Sequence, residues 1–274
     1  MRPINLHTRA TKYHDIAHAK AHESVPRLLL LSFLAGFFIA ITGVGTLTAT
    51  AAVENASIAK LISGLLFPAG LAMILVAGGE LFTGNMLMAV SLFSRRLKLW
   101  PMLRNWLLVF LGNLIGSLFV VFLANYGMQD AVLPANAIAL KIMATAAFKL
   151  QYPFLSAFTL GILCNMVVCT AIWMSFSVDT AMGRIGVVYF PVMLFALTGI
   201  EHCIANMYFI PAGILFAADP VKYALAAAQG IPVELLTVNN FIFNSTLPVT
   251  LGNILGGCII AWIYYYLNVK SHKD

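Results

Sequence analysis

The sequence predicts an all-α membrane protein of six transmembrane helices, arranged as two inverted three-helix repeats. Three observations predict it. Of 274 residues, 61% are hydrophobic and only 9% charged, whereas a soluble domain carries about 25% charged residues. The apolar residues fall into long runs almost free of charge, and paired motifs recur in the same order in the two halves.

A helix needs about 20 apolar residues to cross roughly 30 Å of hydrocarbon. Residues 28–53, 105–129, 150–178 and 235–269 contain no charged residue, while 61–94 contains only Glu80 and 185–218 has one acid, Glu201, beside His202. The expected spans are 28–50, 61–92, 105–127, 152–176, 186–217 and 247–269. They divide the chain into an N-terminal helix (1–27), a first repeat (28–127), an outer connecting segment (128–151), a second repeat (152–269) and a tail (270–274). Residues 1–27 are polar and hold no apolar stretch of the length a signal peptide needs.

Basic residues set the orientation. With the N-terminus inside, cytoplasmic segments hold twelve Lys and Arg, with Arg95, Arg96 and Lys98 the densest group, and outer loops hold four: Lys60, Lys141, Lys149 and Lys222. This predicts a multi-pass protein of the plasma (inner) membrane with both termini cytoplasmic. The net charge of +6 sits at the ends of the apolar runs, so it reports contact with the lipid bilayer rather than nucleic acid. Cys164, Cys169, Cys203 and Cys258 all lie inside apolar runs without metal-type spacing, and read as small packing residues. No metal or cofactor is expected.

The repeat is read from three motif pairs. Glu80, Asn85 and Met86 in span two match Glu201, Asn206 and Met207 in span five; Leu111-Gly112-Asn113 and Gly116 match Leu251-Gly252-Asn253 and Gly256; Phe33 and Gly36 match Phe158 and Gly161. An odd number of spans per half makes the second half cross in the opposite sense, which places a solute path between the halves near mid-membrane. Spans two and five each exceed 30 residues and hold glycine or proline with acid and amide at their centres. Both read as broken helices, since irregular backbone at membrane depth is tolerated only when buried or lining a cavity.

These residues resemble the formate/nitrite transporter family: Glu80-Leu81-Phe82-Thr83-Gly84-Asn85, Leu163-Cys164-Asn165 with Val168, Cys169 and Trp173, Glu201-His202 with Ile204-Ala205-Asn206-Met207, and Leu251-Gly252-Asn253. Asn206 to Pro211 and Leu247 to Gly252 are most similar to its formate branch. The resemblance implies an aquaporin-like fold, a pore in each protomer, a homopentamer, and passage of formate, nitrite or hydrosulfide. It further implies a cytoplasmic constriction at Phe67, Leu71 and Phe195, and a second constriction at Leu81, Phe82, Thr83 and Val168. It places a central histidine at His202, a span-four asparagine at Asn165, and vestibule lysines at Lys149 and Lys20. Cys203 departs from the family's usual serine.

His202 is the only histidine within a span, and an ionisable group at membrane depth is a functional candidate by default. A core histidine bonded to Glu201 or backbone is the alternative. If the two halves bring Thr83 and His202 to one central point, hydroxyl and imidazole can both donate to an anion, with two further donors from Asn165. A carboxylate facing the path would repel an anion, so Glu80 and Glu201 are expected to tie broken-helix backbone N–H groups, with Asn85 and Asn206 as partners. A bare anion passing apolar rings loses hydration without replacement. The expectation is therefore proton-assisted passage, with His202 supplying the proton or a very strong hydrogen bond. Lys149 would concentrate anions outside. His14, His18 and His22 recur every four residues in the N-terminal segment, a candidate pH gate; a solvated helix face and a metal site are the alternatives. Asn-Pro-Ala repeats of a neutral-solute channel are absent. Adjacent His202 and Cys203 point apart and make a poor catalytic dyad, so no enzyme is expected.

Overall fold

A computed structural model describes residues 6–127 and 136–267; the expected tail at 270–274 lies outside these. The described residues contain helices and turns without strands. Helix α1 (Leu6–His22) precedes α2 (Val25–Thr50). Next come α3 (Ala56–Leu66) and α4 (Pro68–Ala77), then α5 (Phe82–Asn85), a tight turn at Met86–Met88 and α6 (Ala89–Phe93). Helix α7 (Leu99–Gly127) closes the first half, and α8 (Ala137–Leu150) begins the second. It continues with α9 (Phe154–Ser175), α10 (Ala181–Thr198), α11 (Cys203–Ala217) and α12 (Pro220–Ala228). A short α13 (Val238–Asn240) leads through a π-helical turn at Phe241–Thr246 into α14 (Leu247–Tyr265). Six stretches are long and apolar enough to cross a membrane: Val25–Thr50, Ala56–Ala77, Leu99–Gly127, Phe154–Ser175, Ala181–Thr198 and Val238–Tyr265. The chain is a multi-pass membrane protein.

Several sequence boundaries shift. Span three starts at Leu99 and span six at Val238, because the helix continues past the apolar core into its polar flanks. Within the connecting segment Ala137–Leu150 forms α8, which packs against α11. Beyond α11 the chain turns by 104° into α12.

Spans two and five are broken as expected, at residues 78–81 and 199–202. Gly78 (φ 92°) and Gly199 (φ 70°) end the first pieces in backbone conformations that L side chains rarely adopt. Two asparagines then close both breaks in the same way. Asn113 accepts from Phe82 N (3.0 Å) and donates to Glu80 O (2.9 Å) and Ser32 O (2.7 Å). Asn253 accepts from Cys203 N (2.9 Å) and donates to Glu201 O (3.0 Å) and Gly161 O (2.8 Å). One amide thus satisfies the N–H and C=O freed by each break, which hydrocarbon cannot do.

The repeated glycines have a matching purpose. A Cβ on Gly116 would run into the Phe33 carbonyl of α2, and one on Gly256 into the Ile162 carbonyl of α9. Each sits where two helix backbones touch, as small residues do between membrane helices. Gly116→Ala should therefore cost about 1–3 kcal/mol through forced separation of α2 and α7. Gly45→Ala, where no atom lies within 4 Å of the new methyl, should cost nothing. Thermal unfolding in detergent compares the two.

Candidate functional site

The broken helices meet at a buried centre. His202 caps α11, its Nδ1 accepting from Ala205 N at 3.1 Å, and its Nε2 stands 2.8 Å from Thr83 Oγ1 at the start of α5. Both side chains are buried, at 3% and 0% exposure. Because Nδ1 accepts a backbone N–H, the proton of a neutral ring sits on Nε2 and faces the threonine. The convergence expected of Thr83 and His202 is thus present; of the alternative, a buried histidine bonded to Glu201 or backbone, the backbone bond is present as well.

A cavity of about 370 Å³ opens on His202 from the side of α8. Its walls include Phe67, Phe195 and Phe209, and its cations are Lys60, Lys141 and Lys149. Phe67 and Phe195 contact edge-on with centroids 5.3 Å apart, and Phe195 lies 5.7 Å from the His202 ring. The aromatic pair expected at the cytoplasmic constriction and the Lys149 expected in the outer vestibule line one and the same cavity, so the two do not lie on opposite sides of the centre. Leu71 is buried at 3% outside the cavity lining. On the other side of His202, Leu81, Phe82 and Val168 are buried around the start of α5.

Asn165 does not supply two donors to this centre. Its Nδ2 donates to Asn253 O at 2.7 Å, its Oδ1 faces Cys169 Sγ at 3.6 Å, and it is fully buried away from the cavity. It binds α9 to α14 instead.

The glutamates differ from expectation too. They take no backbone N–H at the breaks; Asn113 and Asn253 occupy that place. Glu80 accepts from Lys20 (2.7 and 2.8 Å) and Asn85 (2.8 Å). Glu201 accepts from Lys149 (2.8 Å) and Asn206 (2.6 Å). The expected amide partners Asn85 and Asn206 are bonded to the carboxylates, and each carboxylate also holds a lysine, from α1 or from α8. Lys20 therefore belongs to an ion pair bridging α1 to the first break, with Asn85 Oδ1 as a further acceptor at 3.0 Å. Lys149 is likewise neutralised by Glu201, which leaves Lys60 and Lys141 as the cavity's uncompensated charges. Sequence reasoning counted those two only toward orientation, although their place at the outer ends of spans was visible.

Helix α1 seals the other side. Tyr13, Ala17 and Ala21 are buried against the bundle, Asn105 donates to Lys20 O at 2.9 Å, and Arg104 reaches Glu23 O at 3.3 Å. The three histidines do not share one environment. A four-residue step advances about 40° around a helix, so His14 turns inward while His18 and His22 stay exposed. His14 Nδ1 lies 2.8 Å from Ser91 Oγ. Burial first, then Arg96, hold its pKa down at about 4, against a smaller opposing pull from Asp15. A docked His14 thus refuses a proton that an undocked one, near 6.5, accepts. Docking is strongest above pH 6.5 and weakens as pH falls toward 4, by on the order of 1 kcal/mol near pH 5.5. Hydrogen exchange of the α1 amides, corrected for intrinsic rate, should quicken over that window in wild type and stay flat in His14→Gln.

No group of three metal-ligating side chains occurs among the described residues. The formate/nitrite transporter family model matches residues 7–267. Formate channel FocA of Haemophilus influenzae is 36% identical over 94% of this chain and 93% of its own length. FocA of Escherichia coli K12 is also 36% identical, over 93% and 90%. Among solved structures, a pentameric formate channel with formate bound matches with a TM-score of 0.78 at 35% identity, covering 89% of this chain and 96% of its own. An FNT family ion channel matches at 0.79 and 26% identity, over 96% and 98%. With that match spanning nearly every described residue, and with the two breaks, their asparagines and the central histidine in place, the chain belongs to the formate/nitrite transporter family.

Proposed function

We propose that this protein passes formate across the plasma (inner) membrane, with a proton, through a path in each protomer of a homopentamer, both termini lying in the cytoplasm. One observation carries the reading: His202 Nε2 and Thr83 Oγ1, 2.8 Å apart and buried, converge where the two broken helices meet below a lysine-lined cavity. The relatives' names as formate channels support the substrate, and the pentameric neighbour supports the assembly. In this orientation α1 covers the inner mouth and the cavity is the outer one. Phe67 and Phe195 then form the outer constriction; Leu81, Phe82, Thr83 and Val168 form the inner one.

The chemistry follows from solvation. Lys60 and Lys141 draw anions into the cavity. In its wall, the aromatic pair offers no polar replacement for lost water, and desolvating a full charge costs far more than thermal energy. A neutral acid avoids that cost. At the centre, the imidazole N–H and the threonine hydroxyl are the polar groups left to meet the anion, and charge-assisted bonds to them are the strong kind. Formate takes up a proton drawn from the cavity through this pair and leaves as the acid. Glu80 and Glu201 stay paired to lysine and asparagine, out of the path. His14 gives α1 a pH-sensitive hold on the inner mouth, with His18 and His22 exposed beside it.

Proteoliposome uptake of formate, nitrite and hydrosulfide, each at about pH 7.5 and about pH 5.5, tests the substrate. Formate is expected to be preferred and faster at acid pH. A preference for nitrite or hydrosulfide would keep the path and replace the substrate.

A further inference from the structure

The outer cavity offers more than a three-heavy-atom anion needs. Its volume of about 370 Å³ lies in the range that holds small organic ligands. Its donors are unequal. Thr46, Thr50 and Ser63 spend their hydroxyl protons on the backbone carbonyls of Thr42, Thr46 and Ala59. Lys149 is bound to Glu201. Lys60 and Lys141 are different: among the described residues neither has a carboxylate within ion-pair distance, and both line the cavity beside Lys149. The Lys60 ammonium lies near Gly199 at the carboxyl end of α10, 3.1 Å from where a Cβ there would stand. With Lys149 and Glu201 cancelling, the cavity carries two uncompensated positive charges next to apolar walls.

We propose that this cavity is a binding site for small dianions, of the short dicarboxylate class, which lodge between Lys60 and Lys141 and block formate from the outer side. The block rests on the cavity being the outer mouth of the path, as argued above. Two scaling laws separate a blocker from a passenger. A potential that enriches a monovalent anion by some factor enriches a divalent one by the square of that factor. The cost of stripping water from an ion also grows as the square of its charge, so a dianion held here does not follow formate past Phe67 and Phe195. One proton at His202 neutralises formate but leaves a dianion charged. The feature that gathers substrate therefore also makes the mouth sensitive to multivalent anions.

Malonate is the probe, at constant ionic strength set with monovalent salt. Formate uptake into proteoliposomes is measured with and without external malonate, and malonate binding to purified wild-type protein by calorimetry, beside the Lys60→Gln/Lys141→Gln double variant. Malonate is expected to bind and to inhibit wild type. In the variant its apparent affinity should fall about tenfold, while that for formate falls only about threefold, the square root of the same factor. No binding to wild type, or equal inhibition of wild type and variant, overturns the proposal. The two readings fail separately: malonate binding that needs both lysines, in a protein that moves no formate, sinks the transport reading and leaves the site standing. Formate uptake untouched by malonate does the reverse.

Discussion

Asn253→Leu is expected to leave little folded protein. The amide holds Cys203 N, Glu201 O and Gly161 O, all buried, and leucine satisfies none of them. At about 1–3 kcal/mol for each group left unpaired, the loss is on the order of 5 kcal/mol. In a chain of this size that lowers the unfolding temperature by roughly 10 °C or more. Asn113→Leu should do the same to the first break, where it holds Phe82 N, Glu80 O and Ser32 O. Asn253→Asp is the informative partner. It keeps the acceptor for Cys203 N but turns the donor toward two carbonyls into a carboxylate, so it should rescue little. Thermal unfolding of detergent-purified protein measures all three. A leucine variant as stable as wild type would show that these amides do not hold the breaks.

Lys149→Met is the second large effect, and its cause is the group left behind. Glu201 is 2% exposed, and its partners are Lys149 and Asn206. Removing the lysine strands a carboxylate at membrane depth, a change that costs about 3–5 kcal/mol when one partner of a buried pair is deleted. Adding Glu201→Gln should recover most of the loss, because the amide leaves no charge to strand. The equivalent change on the other side is milder. Lys20 and Glu80 side chains are 22% and 12% exposed, against 15% and 3% for Lys149 and Glu201, and water repays part of the lost pairing. The order expected by thermal unfolding is wild type, Lys20→Met, then Lys149→Met, with the Lys149→Met/Glu201→Gln double variant above its parent.

What the sequence showed and what it hid divide along physical lines. Spans were legible because charge is excluded from hydrocarbon, and the pairing of Glu80 with Asn85 and of Glu201 with Asn206 was legible because a motif repeated it. The same repetition exposed Gly112-Asn113 and Gly252-Asn253, but not their work. The backbone they satisfy lies 31 and 50 positions away, and composition says nothing of distant partners. Helix α8 was hidden because helices that never fully cross lack a span-length apolar run. That Phe67 and Phe195 share a cavity with Lys149 was hidden because their place was carried over from resemblance, and sequence does not show which residues of oppositely directed spans face one another. His14 was grouped with His18 and His22 by spacing alone, and only packing shows which one turns inward. Lys20 and Lys149 read as free vestibule charges because sequence does not reveal that each has a carboxylate waiting at a break.

The central claim is that the anion crosses with a proton relayed at His202. Protons moved per formate, counted in proteoliposomes with a pH indicator, test it in wild type and His202→Asn. Asparagine keeps a side-chain acceptor for Ala205 N and an N–H donor but has no group that titrates near neutral pH, so the variant separates hydrogen bonding from proton relay. The account predicts about one proton per formate in wild type and formate movement without protons, or none at all, in the variant. Unchanged coupling in His202→Asn, or wild-type formate flux carried as pure anion current, would contradict it.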